Sequence, residues 1–266
     1  MDGSTIAPIA FIGGGNMASA LIGGLRRAGR AAGDIVVVEP SPAQRERLAR
    51  EFGIPAQPSA DARLAAAAMV VWAVKPQSFA DAAPPCASHV ARALQVSVMA
   101  GVRSENIAGA LQLDARAARI VRAMPNTPAL IGAGATGMIA NARVDAGGRG
   151  QAQAILANAG RTAWIDEEAQ MDAVTGVSGS GPAYFFLLIE ALEDAGVEQG
   201  LPRDTARQLA IQTCLGAARM ASEDGEAPAR LRERVTSPNG TTAAALKVLG
   251  EGDLRGLMAR AVAAAT

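Results

Sequence analysis

The alternation of short apolar runs with helix-like segments is the feature that most constrains the fold of this chain. Between about residues 8 and 165, runs rich in Val, Ile and Leu are separated by segments of helix composition. This pattern predicts a parallel sheet covered by helices on both faces. The expected strands are 8–12, 34–39, 68–74, 94–99 and 118–124, and the helices expected between them include 17–27, 42–51, 78–81 and 104–111.

The strand pattern ends at about residue 166. The later segments 180–196, 202–225 and 241–265 all have helix composition, with Gly and Pro between them. The chain is long enough for two domains. We therefore expect an α/β domain over residues 1–165 and an all-helical domain over residues 166–266.

Composition excludes several classes of function. The 25 basic residues balance the 25 acidic ones, which gives no electrostatic reason to expect a nucleic acid or an anionic membrane as partner. Cys86, Cys214 and His89 have no metal-ligand spacing and form no disulfide framework, so we expect no metal and read His89 as structural. The N-terminus lacks signal-peptide features, and the longest apolar run, Leu64–Val74, is too short to span a bilayer. These features favour a cytoplasmic protein.

A glycine-rich turn follows the first expected strand. Gly13, Gly15 and Ala18 have the spacing of the dinucleotide-binding turn, in which small residues allow a tight turn, contact with pyrophosphate and close helix packing. Such a turn alone is weak support, because many turns contain glycine. Its position between a strand and a helix, at the start of a βαβ pattern, predicts a Rossmann-type dinucleotide-binding domain.

The residues after the second expected strand bear on cofactor choice. Glu39 is placed to bind a ribose 2′-hydroxyl, which favours NADH. Ser41, Arg45 and Arg47 follow closely and are suited to a 2′-phosphate, which favours NADPH. The sequence leaves both cofactors open.

Two more strand-end loops are candidates for the cofactor site. The segment 72–76 carries Lys75, one of two lysines in the chain, and 98–102 has small residues that allow close approach of a ligand. Ligands bind at the carboxyl ends of strands in open α/β sheets. A lysine at such a position is also commonly a solvated surface residue.

The segment VTSPNGTTAAAL, residues 235–246, contains more hydroxyl and glycine residues than one helix cap requires. A helix N-terminus has free N–H groups and a favourable dipole for a carboxylate. Ser237, Gly240, Thr241 and Thr242 are therefore candidate ligands for a small anion. In GVSGSGPAY, residues 176–184, Ser178 and Ser180 mark either a helix break or a ligand contact.

These motifs together resemble the pyrroline-5-carboxylate reductase family over about residues 8–262. The most specific are MPNTP at 124–128, SGSGPAY at 178–184 and the Ser-Pro-x-Gly-Thr-Thr segment. The resemblance implies a Rossmann-type domain followed by a dimerising helical domain, with NADPH or NADH as cofactor. It implies reduction of the cyclic imine of 1-pyrroline-5-carboxylate to L-proline by a homodimer, in some members a ring of dimers.

The resemblance also implies roles for individual positions. Thr242 would hydrogen-bond the ring nitrogen as the catalytic hydroxyl, beside substrate-binding residues at the start of the same helix. The implied cofactor contacts are Ile12, Gly13, Gly14, Gly15, Asn16, Met17, Glu39, Ser41, Ala73, Val74, Lys75, Pro76, Ala100, Gly101, Asn126 and Thr127. Two positions depart from the family pattern: Asn239 stands where Gly is usual, and Glu39 stands where many members have a neutral residue.

Two other functions fit parts of the sequence. A β-hydroxyacid dehydrogenase has the same two-domain plan, but it would need a lysine on an early helix of the second half, whereas Lys247 comes late. A dinucleotide-responsive regulator would bind cofactor without turnover. The sequence has one His, two Lys and no paired carboxylates in a recognisable motif. This lack of an obvious acid–base motif does not exclude the reductase, because a protonated imine is already electrophilic and mainly needs to be oriented.

Overall fold

The computed structural model describes residues 7–114 and 116–266. The chain divides into two compact units, of which the first ends at Gly179 and the second is Ser180–Thr266. The helical segment before Gly179 belongs with the first unit because it packs on the sheet. The functional domains expected from the sequence, residues 1–165 and 166–266, stay a prediction.

A seven-stranded sheet forms the centre of the first unit. Its strands are β1 Ile9–Ile12, β2 Ile35–Val38, β3 Met69–Trp72, β4 Leu94–Ser97, β5 Ile120–Met124, β6 Gly134–Ala140 and β7 Gly160–Trp164. They lie in the order β2-β1-β3-β4-β5-β6-β7. Strands β1 to β5 are parallel, as the alternating pattern predicts. Because β2 and β3 lie on opposite sides of β1, the order reverses next to β1, which is where such sheets bind ligands.

Strands β6 and β7 were not predicted, and they make the sheet mixed. Strand β6 runs antiparallel to β5, and β7 is parallel to β6. Strand β6 contains Gly134 and Gly137, and glycine is uncommon in strands. Packing explains Gly137: a Cβ there would lie 2.5 Å from Cγ1 of Val174. Because close packing requires glycine at this position, strand propensities alone do not predict β6.

Helices cover both faces of this sheet. Phe11 and Val71 pack with Leu21 of the first helix on one face, while Trp72 and Ile107 lie in the core of the other face. The helices are α1 Asn16–Arg27, α2 Pro42–Phe52, α3 Phe79–Ala82, α4 Pro84–Val90, α5 Ser104–Ala110, α6 Ala146–Leu156 and α7 Gln170–Val174. A single π-helical turn, Thr175–Gly179, follows α7. In the part of the chain that the structure describes, no helix has the length and apolar composition needed to cross a bilayer.

The second unit consists of five helices in the described residues: α8 Gly181–Glu198, α9 Arg203–Glu223, α10 Pro228–Arg234, α11 Thr241–Glu251 and α12 Leu254–Ala264. The stretch expected as helix from 241 to 265 is thus two helices. The break occurs at Asp253, which has φ +51° and accepts a hydrogen bond from the Gly256 N–H at 3.1 Å. An Asp that tolerates the left-handed region and caps the next helix explains the break.

Helices α8 and α9 form the packed pair of this unit, but they bury few of their own residues. A Cβ on Gly196 would lie 3.1 Å from Cβ of Ala206, so the two helices approach closely there. The buried residues of the pair are Gly181, Glu193, Ala206 and Ala210. Large apolar side chains remain exposed, among them Phe185, Phe186, Leu187, Leu188, Leu192, Leu209, Ile211 and Leu215. A surface of this kind is typical of a protein–protein interface.

Candidate functional site

The loops at the carboxyl ends of β1 to β5 meet at one edge of the first unit, because these strands are parallel. The turn after β1 contacts the loop after β3: a Cβ on Gly13 would lie 2.7 Å from the carbonyl oxygen of Ala73. The expected cofactor-binding segments of β1 and β3 are therefore neighbours. They lie where the strand order reverses.

The glycine-rich turn leaves an open space in front of α1. Gly13 has φ +95°, a conformation that L side chains rarely adopt. At Gly15, by contrast, a Cβ would meet no atom within 4 Å. Gly15 is the N-cap of α1, and no side chain within the described residues caps this helix by a hydrogen bond. The free N–H groups and the helix dipole suit this space to a pyrophosphate.

The end of β2 is held by hydrogen bonds. Glu39 is 9% exposed; its Oε2 accepts the N–H of Gly14 at 2.7 Å, and its Oε1 accepts the N–H of Ser41 at 2.8 Å. Arg45 Nη1 donates to the carbonyl oxygens of Glu39 and Pro40, at 3.0 and 2.6 Å. The carboxylate expected to read a ribose therefore already has backbone partners.

The residues expected to hold a 2′-phosphate lie near this corner. Ser41 is the N-cap position of α2, and its side chain makes no capping hydrogen bond in the described residues. Arg47 Nη1 donates to Oδ1 of Asn16 at 3.2 Å, and its Nε pairs with Glu51 at 3.1 Å. Arg47 thus connects α2 to the first residue of α1, next to the open space at Gly15.

The loops after β3 and β4 expose the small residues expected near a nicotinamide. Lys75 is exposed and precedes a short 3-10 turn, Pro76–Ser78. Ala100 and Gly101 are exposed after β4, and Gly101 has φ +73°. Both loops leave backbone accessible at the edge where ligands bind.

Asn126, after β5, has a structural role in addition to its expected place in the cleft. Its Nδ2 donates to the carbonyl oxygen of Ser178 at 2.9 Å, and its Oδ1 accepts the N–H of Ala135 at 2.9 Å. Ser178 lies in the π turn, and its hydroxyl donates to the carbonyl of Val174 at 2.9 Å. Thr127, the next residue, is exposed. Asn126 thus ties the π turn to the edge of the sheet, and π turns are frequent at functional sites.

An ion pair between a buried arginine and a partly exposed glutamate lies beside this edge and was not predicted from the sequence. Arg122 of β5 is 4% exposed and its Nη1 lies 2.8 Å from Oε1 of Glu168. The same oxygen accepts the N–H and the hydroxyl of Ser104 at 2.8 and 3.0 Å. Burial raises the pKa of Glu168, but the hydrogen bonds from Ser104 and Arg122 outweigh it and hold this pKa below its ordinary value. The one feature of the sequence that could have indicated this ion pair is Arg122 itself, a charged residue inside an otherwise apolar strand.

In the second unit, the segment before α11 has the geometry of an anion-binding helix start. Asn239 has φ +61°, so it adopts the left-handed conformation expected of the glycine it replaces. Gly240 is the N-cap, and its N–H donates to the carbonyl of Ser237 at 3.1 Å. Thr241 and Thr242 are exposed in the first turn, which no side chain of the described residues caps by a hydrogen bond. Ser180 stands at the N-cap position of α8, also without a side-chain capping bond there.

Two features of the described residues concern metal ligands and thiols. These residues contain no group of three or more His, Cys, Asp and Glu side chains that could hold a metal ion. Burial raises the pKa of the Cys86 thiol to about 11, which makes it a poor nucleophile at neutral pH.

Comparison with known proteins agrees with this geometry. Residues 8–101 match a family model described as NADP oxidoreductase coenzyme F420-dependent, and residues 168–266 match one described as pyrroline-5-carboxylate reductase dimerisation. A pyrroline-5-carboxylate reductase from Pseudomonas aeruginosa is 47% identical, over 97% of this chain and 94% of that protein.

Two solved structures have the same fold over nearly the whole chain. A pyrroline-5-carboxylate reductase from Coxiella burnetii has a TM-score of 0.91 and 40% identity, covering 98% of this chain and 96% of that chain. A Plasmodium falciparum pyrroline carboxylate reductase with NADP bound has a TM-score of 0.82 and 29% identity, covering 97% and 95%.

The fold and the strand-end site define a dinucleotide-dependent oxidoreductase with a Rossmann-type unit and a helical dimerisation domain. Within this class, the chain belongs to the pyrroline-5-carboxylate reductase family. Its cofactor is a nicotinamide dinucleotide, NADPH or NADH.

Proposed function

We propose that this protein reduces 1-pyrroline-5-carboxylate to L-proline, the last step of proline biosynthesis, with NADPH or NADH as the reductant. The family membership supports the reaction. The single observation in the molecule that carries it is the exposed first turn of α11, which no side chain of the described residues caps by a hydrogen bond. Such a turn suits the carboxylate of the substrate. The chemistry then divides into holding the cofactor, holding the carboxylate and orienting the imine.

The first unit would hold the cofactor at the carboxyl edge of its parallel strands. The open space at Gly15 fits a pyrophosphate, since a Cβ there would point into space with no other occupant. When bound, the reduced nicotinamide supplies the hydride. The residues proposed to contact the cofactor are Ile12, Gly13, Gly14, Gly15, Asn16, Met17, Ser41, Ala73, Val74, Lys75, Pro76, Ala100, Gly101, Asn126 and Thr127.

The start of α11 would hold the substrate. Its free N–H groups and dipole favour a carboxylate, and Gly240 allows close approach because it has no side chain. The hydroxyls of Ser237, Thr241 and Thr242 supply additional donors. Ser178 and Ser180 stay candidates for further contacts, although the Ser178 hydroxyl already donates to Val174.

Little further chemistry is required of the protein. A protonated C=N bond is electrophilic, so binding and orientation in a water-excluded site are the main contributions, on the order of 7–11 kcal/mol. In our proposal the Thr242 hydroxyl accepts a hydrogen bond from the iminium N–H and so fixes the face of the ring that is reduced.

We also propose that the protein acts as a homodimer formed through the second unit. The exposed apolar side chains of α8 and α9, together with the few buried residues of this unit, support a partner surface. The same proposal includes the association of such dimers into a ring, and it assigns the protein to the cytoplasm.

Thr242→Ala tests the proposed catalytic hydroxyl. Loss of one hydrogen bond to a charged group costs about 1.5–3 kcal/mol, so kcat should fall roughly 10- to 150-fold. The dissociation constant of NADPH should remain within about twofold of wild type. Thr242→Ser is the matched control, because it keeps the hydroxyl and should retain most of the activity. Unchanged turnover in Thr242→Ala would remove this residue from the mechanism.

A further inference from the structure

The side chain of Glu39 points inward, toward the glycine-rich turn. Its two carboxylate oxygens each accept one backbone N–H, from Gly14 at 2.7 Å and from Ser41 at 2.8 Å. The residue is 9% exposed. A buried carboxylate requires hydrogen-bond partners, and bonds from N–H groups to an ionised acceptor are among the stronger ones in proteins.

The turn and the end of β2 are in direct contact around this carboxylate. The N–H of Gly13 donates to the carbonyl of Val38 at 2.8 Å, and the next N–H donates to Glu39. A Cβ on Gly14 would lie 3.2 Å from both Cβ and Cγ of Glu39. Two successive N–H groups of the turn are therefore directed toward β2. Gly15 and the first residues of α1 remain to receive a pyrophosphate.

We propose that Glu39 is a positioning residue for the glycine-rich turn, and that it does not select the cofactor through the ribose 2′-hydroxyl. It holds the turn in the conformation that binds the pyrophosphate, a part shared by NADH and NADPH. The inference deepens the proposed cofactor-dependent function. It also explains how an acidic residue at this position is compatible with a match to a family model described as NADP oxidoreductase coenzyme F420-dependent.

The two roles of Glu39 predict opposite patterns of binding. A carboxylate that reads the ribose stabilises NADH and repels a 2′-phosphate. Removing such a carboxylate would weaken the binding of NADH and strengthen the binding of NADPH. A carboxylate that holds the turn contributes equally to the binding of both cofactors. Its removal therefore weakens the binding of NADH and of NADPH by a similar factor.

The experiment measures dissociation constants of NADH and NADPH by fluorescence titration, with the full-length protein and without substrate. Glu39→Gln replaces one acceptor oxygen by an amide that cannot accept an N–H. Both constants should rise about tenfold, with the NADH/NADPH ratio unchanged within about twofold. Glu46→Gln is the control, because Glu46 is exposed on α2 and the substitution removes the same charge nearby. It should leave both constants near wild type.

Glu39→Asp keeps the charge and separates the two roles even if Glu39→Gln fails to fold. Asp is also a ribose-binding residue at this position in dinucleotide-binding folds. A ribose reader should therefore tolerate the change, whereas a side chain shorter by one methylene cannot reach both N–H groups and should weaken both cofactors.

In Glu39→Gln, a higher dissociation constant for NADH together with a lower one for NADPH would overturn the proposal. Unchanged dissociation constants for both cofactors would also overturn it. Because binding is measured without substrate, the outcome is independent of the reaction. Binding changes as predicted in a protein that does not reduce pyrroline-5-carboxylate would leave this inference standing and refute the proposed function.

Discussion

Alanine substitutions at two glycines of the same turn are expected to have different main effects, on stability at Gly13 and on cofactor binding at Gly15. At Gly13 the added Cβ would lie 2.7 Å from the carbonyl oxygen and 2.9 Å from the carbonyl carbon of Ala73, which are backbone atoms. The φ of +95° adds a second penalty. The left-handed region costs about 1–2 kcal/mol and overpacking about 1–3 kcal/mol. Gly13→Ala should therefore lower the free energy of unfolding by about 2–5 kcal/mol.

At Gly15 the same substitution meets no atom within 4 Å, and φ is −68°. Replacing a glycine N-cap by alanine costs about 1 kcal/mol or less. The methyl group would, however, occupy the space assigned to the pyrophosphate. Gly15→Ala should therefore fold almost as stably as wild type and bind NADPH at least about tenfold more weakly.

The assay combines urea unfolding with NADPH titration on both variants. Gly13→Ala reports mainly on stability and Gly15→Ala mainly on binding, so each is the control for the other. Wild-type NADPH affinity in Gly15→Ala would refute the assignment of this space to the cofactor. Wild-type stability in Gly13→Ala would refute the close packing of the turn against the β3 loop.

Two further predictions concern the ion pair and the helical unit. Glu168→Gln removes the charged partner of buried Arg122; because Glu168 itself is partly exposed, the cost in urea unfolding at about pH 7 should be roughly 1–3 kcal/mol. Because hydrogen bonds from Ser104 and Arg122 lower the pKa of folded Glu168, this stabilisation is fully present above the ordinary glutamate pKa of 4.5. It is lost as the pH falls through the lower pKa of the folded protein, so the difference between the two proteins should shrink in acid. Exposed Glu167→Gln is the control, and an equal loss from it would contradict the ion-pair account. Phe186→Asp should reduce the molar mass of the protein measured by light scattering, because Phe186 is exposed on α8. Glu190→Gln on the same helix should leave the mass unchanged. An unchanged mass in Phe186→Asp would exclude the exposed apolar surface around Phe186 as the dimer interface.

The parallel part of the sheet was predictable because its strands are buried on both faces and appear as continuous apolar runs. Strand β6 was not predictable, because its Gly137 is required by packing against Val174, and this contact is visible only once α7 is placed. Strand β7, which pairs with β6, was not predicted either. The division of the last helical stretch at Asp253 has a different origin, which is local. An Asp in the left-handed region is a local event that helix composition does not predict.

The backbone elements of the candidate site were better predicted than its side chains. The glycine-rich turn and the strand-end loops follow from spacing alone, since parallel strands bring their carboxyl ends to one edge. Glu39 and Asn126 were expected to face ligands, yet both have hydrogen-bond partners inside the first unit. The sequence shows which hydrogen-bond donors and acceptors are present, but the partner of each one depends on the tertiary structure.

The measurement that tests the central claim most directly is the oxidation of NADPH and of NADH by the purified protein with 1-pyrroline-5-carboxylate, with the L-proline formed measured in the same samples. The account predicts one proline for each nicotinamide oxidised, with at least one of the two cofactors. Cofactor that binds but is not oxidised would contradict the reductase assignment. A dinucleotide-responsive regulator would then be the better description of this fold and site.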